Sequence, residues 1–388
     1  LCTLQAFRDM GVHIERPSSG RVVIHGVGMH GLRAPAQPLY LGNSGTSMRL
    51  LAGLLSGQAF GSVLTGDSSL SKRPMKRVAE PLGRMGANLT LQPGGLCPIR
   101  IEPAKLRAIE YHMPMASAQV KSCLMLAALY AEGETTLVEP APCRDHTERM
   151  LQGFGYPVVV EGNIVRVRGG GTLRASTVDV PADISSAAFF LVGASICPGA
   201  DLTLRHVGLN PTRIGVINIL QGMGADIQVL RQYIAGGEPV ADLRVRYADL
   251  RGIAIPEDQV PLAIDEFPAL FVAAACAEGV TTLSGAEELR VKESDRIQTM
   301  ADGLGVLGVA HEVKPDGIVI EGFGATGRFG SGSIDSHGDH RIAMAFTMAS
   351  LRASGPLTIL DCNNVATSFP GFDELARRCG IPLAASHG

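Results

Sequence analysis

The chain has 388 residues, 46% of them apolar and 18% charged, with no Trp and a formal net charge of −3. That balance supplies ample core for about two domains and gives no global attraction to nucleic acid or an anionic membrane. No run of 18 or more apolar residues occurs, so no membrane-crossing helix is expected, and eight Cys scattered without a C-x-x-C pair fit a reducing cytoplasm better than a disulfide framework or zinc site.

In chain order, the first predicted helix is the amphipathic "TLQAFRDMGVHI", followed by the strand "GRVVIHG". A polar cluster, Asn43-Ser44-Gly45-Thr46, then opens a small-residue apolar helix, and "KRVAEPLGRMGANL" follows as a second, charged helix ending in Gly. The next opening is Ser117-Ala118-Gln119-Val120-Lys121, with an apolar helix through Leu124–Tyr130, then "TERMLQGFGYPVVV" and the strand "NIVRVRGG". Gly169, Gly170 and Gly171 precede a domain boundary predicted near Ser176–Val180. Beyond it come Asp183-Ile184-Ser185-Ser186 with the apolar helix Ala187–Ile196, the strand "DLTLRHVG" and the helix "RIGVINILQGMGADI". Asp265-Glu266-Phe267 opens Leu270–Ala277, followed by "RIQTMADGLGVLGVAHEV" and the strand "DGIVIEG". The last opening, Asp339-His340-Arg341, leads into Ala343–Leu351 and then "DELARRCGIPL".

These elements repeat as one unit roughly every 70–80 residues: polar opening, buried helix, strand, amphipathic helix, turn. Alternating β and α elements predict α/β layers, and six repeats divide into two domains of three. The predicted domains are residues 1–178 and 179–388. Six second helices stand against five first helices, so the chain is expected to begin inside a unit, with about forty residues of a longer protein before Leu1. The apolar helices Ala187–Ile196 and Leu270–Ala277 read as buried nearly all round. The second helices should lie between core and solvent.

Chemistry is expected at the polar openings. A helix start presents unpaired N–H groups and a partial positive charge, which favour anions. Cations gather there: Arg49, Lys72-Arg73, Lys121 beside Ser117, Lys292 with Arg296, and Arg341. If both domains aim these ends at one cleft, it suits substrates carrying several phosphates or carboxylates. Each cluster also has a plainer reading. Asn43, Ser117 and Asp183 serve as N-caps, and for Asp183 capping is favoured over catalysis. Lys72-Arg73 alone reads as a solvated charge run. Glu293 and Arg296 form a helix-supporting pair at i, i+3. His337 and His340, with Asp335 and Asp339 nearby, read as turn chemistry rather than a metal site. Recurrence of charged openings shifts the balance toward a site.

At these clusters the chain closely resembles the 5-enolpyruvylshikimate-3-phosphate synthases, of the enolpyruvyl transferase family. The resembling segments are "LGNSGTSMRLLAGLL", "GDSSLSKRPM", "ASAQVKSCLMLAAL", "RDHTERML", "DISSAAFFLVGA", "DEFPALFVAAACAEG", "RVKESDRI" and "GDHRIAMAF", in family order over nearly the whole chain. The resemblance implies a two-domain inverse α/β barrel with three βαβαββ units per domain, the first truncated here. It implies transfer of the enolpyruvyl group of phosphoenolpyruvate to the 5-hydroxyl of shikimate-3-phosphate with release of phosphate, a step toward aromatic amino acids. No cofactor or metal is implied, and a cytoplasmic monomer acting on small molecules is expected.

Carried over by motif, Ser117, Ala118 and Gln119 resemble the shikimate-phosphate loop, with Gln119 also near phosphoenolpyruvate. Asp265 resembles the carboxylate that holds the shikimate hydroxyls and acts as base. Lys292 resembles the lysine bridging both substrates, and Glu293 its partner in proton transfer. Arg73, Arg296 and Arg341 resemble the phosphoenolpyruvate clamp, and Gly45 gives that substrate close backbone approach. The resemblance also implies domain closure around the ligands. Three departures stand out. The family's Lys-Ser pair and following Arg, at the opening of the first unit, are not in this sequence; Cys143 stands where many relatives carry Ser; Thr367 stands where some carry Lys. Two alternatives follow. One is an inactive anion-binding fragment. The other is the sister transferase acting on UDP-N-acetylglucosamine, disfavoured because "GDSSLSKRPM" lacks that enzyme's reactive Cys.

Overall fold

A computed structural model describes residues 2–18 and 20–385. The chain divides into two units, Leu1–Val178 and Asp179–Gly388, each with its own hydrophobic core. The fold is α/β.

In the first unit, α1 (Cys2–Asp9) leads into the antiparallel pair β1 (His13–Ser18) and β2 (Arg21–His25). Next come β3 (Leu39–Tyr40), α2 (Gly45–Ser56), β4 (Ser62–Thr65), α3 (Lys76–Arg84), β5 (Asn88–Gln92) and β6 (Leu96–Glu102). Their sheet runs β3-β4-β6-β5, parallel at the first pair and antiparallel thereafter. The same order returns as β7-β8-β10-β9, from β7 (Glu110–His112), α4 (Ala118–Ala128), β8 (Glu134–Val138), α5 (His146–Gly153), β9 (Val158–Glu161) and β10 (Ile164–Arg168). The parallel pairs place the intervening helices α2 and α4 across their sheets, as a crossover connection requires.

In the second unit, α6 (Ile184–Ile196), β11 (Asp201–Gly208), α7 (Gly215–Gly222), β12 (Asp226–Ala235) and β13 (Glu238–Arg246) form a sheet in the order β11-β13-β12. A short α8 (Val260–Ala263) precedes α9 (Phe267–Cys276), β14 (Glu278–Leu283), α10 (Arg296–Val306), β15 (His311–Lys314) and β16 (Gly317–Phe323), paired as β14-β16-β15. The chain then runs through β17 (Gly332–Asp335), α11 (His340–Ala349), β18 (Leu357–Leu360), α12 (Asn363–Ser368) and α13 (Phe372–Arg378), with β17 and β18 parallel.

Burial follows composition. Every residue of α9 is buried, as is all of α6 except Ser186, because Ala, Gly, Phe and Val leave no polar face to send to water. Close helix approach matters most at Gly53: a Cβ there would lie 2.0 Å from the Cys123 carbonyl oxygen, so α2 and α4 meet backbone to backbone. The start of α2 lies beside the start of α4, where Gln119 bonds Thr46 and Arg49.

Candidate active site

Two clusters of functional side chains form, one in each unit. In the first, Ser44 caps α2 by accepting from the Ser47 N–H at 3.1 Å. This corrects the assignment of the cap to Asn43, whose Oδ1 instead accepts from Arg73 Nη2 at 2.8 Å. Arg73 follows the short 3-10 turn Leu70–Lys72. Ser117 caps α4, accepting from the Val120 N–H at 3.4 Å, with Ala118 and Gln119 half-buried in the first turn. Gln119 ties the two helix starts together: its Nε2 donates to Thr46 Oγ1 at 2.8 Å and its Oε1 accepts from Arg49 Nη1.

Arg49 lies one turn beyond Gly45, almost wholly buried, and its Nε has no hydrogen-bond partner among the described residues. Burial holds its guanidinium down at about 10, and the charges of Arg77 and Arg73 add to the effect. A cation crowded by cations at the open ends of two helices makes a place where an anion relieves repulsion. Gly45 lines that place. A Cβ on it would sit 3.4 Å from Nη1 of both Arg49 and Arg73, ordinary contact with the protein but within the volume facing both guanidinium groups. Gly45→Ala is therefore expected to leave the melting temperature nearly unchanged while raising KM for an anionic ligand held by these arginines by about tenfold; initial-rate kinetics check it.

Lys121 does not face this space. Its side chain is 1% exposed and pairs with Glu139 at 2.9 Å and Glu148 at 2.6 Å. The expectation of a ligand-facing cation there is corrected: the fourth position of the helix turns inward, toward these two carboxylates. Beside it, Cys143 donates weakly to the Ala141 carbonyl at 3.7 Å, and burial, reinforced by Glu139, pushes its thiol up to about 12. That disfavours the thiolate, the nucleophilic form.

The second cluster forms around Arg296, at the start of α10, whose side chain is 1% exposed. Its Nε donates to Asp339 at 2.8 Å, its Nη2 to Glu293 at 2.6 Å, and its Nη1 reaches Asp265 at 3.4 Å. Asp265 Oδ1 also lies 3.6 Å from Lys292 Nζ, which donates to Glu288 at 2.5 Å. Asp339 caps α11, accepting from the Arg341 N–H at 2.9 Å, and also accepts from Ser294 at 3.1 Å. The Arg341 guanidinium donates to the Asp265 carbonyl at 2.9 Å and stands 3.8 Å from Glu266. Asp265, Lys292, Glu293, Arg296 and Arg341 are thus brought together, with each nitrogen of the Arg296 guanidinium beside a carboxylate.

Burial alone would raise Asp339, but the adjacent Arg296 outweighs it and holds the carboxyl below its usual range. A depressed carboxyl stabilises the fold above its unfolded pKa of about 3.9 and loses that contribution as pH falls toward the folded value. Asp339→Asn should therefore remove part of the stability difference between pH 7 and pH 3, read by urea unfolding at both. Glu266 behaves oppositely. It is 2% exposed, and burial pushes it up against the pull of Arg341 and the Ser185 hydroxyl that donates to it.

Arg49, Glu266 and Asp339 carried no assigned substrate contact in the sequence. Arg49 was visible as a cation four residues after Gly45, yet nothing in the pattern says that both face one space. Glu266 sits one residue after Asp265 and Asp339 two before Arg341, and both act through burial, which pattern alone does not give. Asp183 caps α6, its Oδ1 accepting from the Ser185 N–H at 3.2 Å, and pairs with Arg213 at 3.0 Å. The His337 N–H donates to Asp335 at 2.8 Å, the expected turn chemistry.

The family model described as EPSP synthase (3-phosphoshikimate 1-carboxyvinyltransferase) matches residues 1–375. The 3-phosphoshikimate 1-carboxyvinyltransferase of Methylococcus capsulatus is 64% identical over 387 residues, covering 100% of this chain and 88% of the relative. That of Nitrosococcus oceani is 64% identical over 389 residues, covering 100% of this chain and 86% of the relative. A solved EPSP synthase from Acinetobacter baumannii superposes with a TM-score of 0.93 at 60% identity, over 100% of this chain and 88% of that one.

Proposed function

The chain belongs to the EPSP synthase family, and from that premise we infer that it is a 3-phosphoshikimate 1-carboxyvinyltransferase of the shikimate pathway. It moves the enolpyruvyl group of phosphoenolpyruvate to the 5-hydroxyl of shikimate-3-phosphate and releases phosphate. The observation that carries the chemical reading is the meeting of Asp265, Glu293, Lys292 and Arg296 within one hydrogen-bonded and ion-paired group.

The reaction is an addition followed by an elimination. In the addition, the terminal carbon of phosphoenolpyruvate takes a proton while the 5-hydroxyl oxygen loses its own and bonds to the neighbouring carbon. In the elimination, the new methyl group gives a proton back and the carbon–oxygen bond to phosphate breaks, phosphate leaving with the electron pair. No electron is gained or lost overall, and no role here calls for an organic cofactor or a metal.

In our reading, Asp265 takes the hydroxyl proton, and Lys292 with Glu293 moves the proton at carbon. Arg73, Arg296 and Arg341 hold the charges of phosphoenolpyruvate, with Gly45 leaving room for it. Ser117, Ala118 and Gln119, at the start of α4, receive the phosphate of shikimate-3-phosphate. Support comes from the two unopposed guanidinium groups around Gly45 and from the carboxylates set beside Lys292. Arg296 uses three of its five N–H donors on carboxylates, and of these bonds the one to Asp265, at 3.4 Å, is the longest.

We read each unit as an inverse α/β barrel of βαβαββ repeats; the recurring order in which a parallel first pair is followed by the fourth and then the third strand supports it. We read the protein as a cytoplasmic monomer, which light scattering at twice the chain mass would oppose. Phosphate release from phosphoenolpyruvate, measured with shikimate-3-phosphate and with UDP-N-acetylglucosamine as acceptor, tests the assignment. Release is expected with the first acceptor only; release with the second alone would overturn it.

A further inference from the structure

The β1–β2 hairpin carries three side chains that the proposed reaction does not use. His13 and Glu15 are two residues apart on β1 and so share a face, and His25 lies directly across from His13 in the antiparallel register. The two imidazoles converge on one oxygen: Nε2 of His25 is 2.7 Å, and Nε2 of His13 3.2 Å, from Glu15 Oε1. The rings stand 4.8 Å apart, tilted at 41°. All three donor atoms lie within 4.8 Å of one another, and this is the one such trio among the described residues.

We propose that His13, Glu15 and His25 form a zinc site that staples the open end of this hairpin. The donor set is two neutral imidazoles and a carboxylate, the borderline nitrogen and oxygen ligands that suit zinc rather than calcium or magnesium. Zinc at its usual bond lengths sets tetrahedral ligand atoms about 3.3 Å apart. The His13–Glu15 separation of 3.2 Å already matches, and the 2.7 Å to His25 opens by a small rotation of an exposed ring. The ion replaces the ring protons that now point at the carboxylate, and water completes its shell. Protons and metal therefore compete for one set of lone pairs.

The hairpin has a physical need for such a link. It is a separate two-stranded sheet, and a lone hairpin is marginally stable in water. Ile14 is buried, but Val22 and Ile24 on the second strand lie 46% and 63% exposed, so little core holds the pair together. His13 and His25 are at the end of the ladder remote from the turn, where strands fray first. A metal bridge there fixes both register and closure.

The site is tested by titrating zinc into the full, chelator-treated chain, with affinity read against a chromogenic chelator and amide exchange followed over residues 13–25. One equivalent is expected to bind and to slow exchange in that segment. His25→Ala, His13→Ala and Glu15→Gln should each weaken binding at least tenfold, while His112→Ala should not. All four positions are exposed, so folding is not at stake, and circular dichroism verifies it. Affinity kept within twofold in His25→Ala, or zinc bound without slowed exchange in residues 13–25, would overturn the proposal. Neither outcome depends on the enzyme reading.

Discussion

Asp265→Ala is expected to lower kcat/KM by about 10³-fold, within the 10²–10⁴ that a positioned general base supplies. The fold should survive. Arg296 loses its weakest carboxylate contact, at 3.4 Å, but keeps Asp339 at 2.8 Å and Glu293 at 2.6 Å, so the buried guanidinium stays paired. Lys292 keeps Glu288 at 2.5 Å. The loss should therefore fall on kcat, with a modest rise in KM for shikimate-3-phosphate. Asp265→Asn separates the two parts of the role: it retains hydrogen bonding to a substrate hydroxyl but cannot take its proton, so it should recover KM and not kcat. Turnover within tenfold of wild type in Asp265→Ala would remove this carboxylate from the proton transfers.

The largest effect on stability is expected at Lys121. The ammonium sits wholly buried between Glu139 and Glu148, so Lys121→Met leaves two carboxylates facing each other without their cation. Breaking a buried ion pair from one side costs about 3–5 kcal/mol. For a unit of this size that lowers the melting temperature by about 10 °C. Burial already pushes Glu148 up, against the pull of Lys121. A carboxyl with a raised folded pKa contributes stability below its unfolded pKa and loses it as pH rises through the folded value. The variant should therefore regain part of its lost stability as pH falls from 7 toward 5. Adding Glu139→Gln and Glu148→Leu should also restore part of it, since neutral replacement of a buried ion set is far less costly than halving it. A fall of under 1 kcal/mol in Lys121→Met at pH 7 would show that the triad is solvated.

Lys121 also shows where sequence reading stops. From the pattern it is a cation four residues into a helix start, equivalent to Lys292 or Arg341 as an anion ligand. Its partners come from the residue after β8 and from the first turn of α5, and no local period links those positions. The apolar helices were legible because composition alone decides them: α9 has no residue that prefers water, and it is buried throughout. Caps were legible where one Ser or Asp precedes a helix, as at Ser117 and Asp183, and ambiguous where Asn43 and Ser44 stand side by side. Ser44 takes the cap and frees Asn43 to hold Arg73, an outcome set by where the turn after β4 brings that arginine. Arg296 was visible as a cation, but its burial among three carboxylates arises from tertiary packing of the starts of α9, α10 and α11.

The proposed reaction requires the helix starts to receive anions. Calorimetric titration of phosphoenolpyruvate, with shikimate-3-phosphate present, tests this most directly in wild type, Arg73→Met and Arg341→Met. A charge-assisted hydrogen bond contributes about 1.5–3 kcal/mol, so each variant should bind at least tenfold more weakly. Affinities equal to wild type in both variants would contradict it.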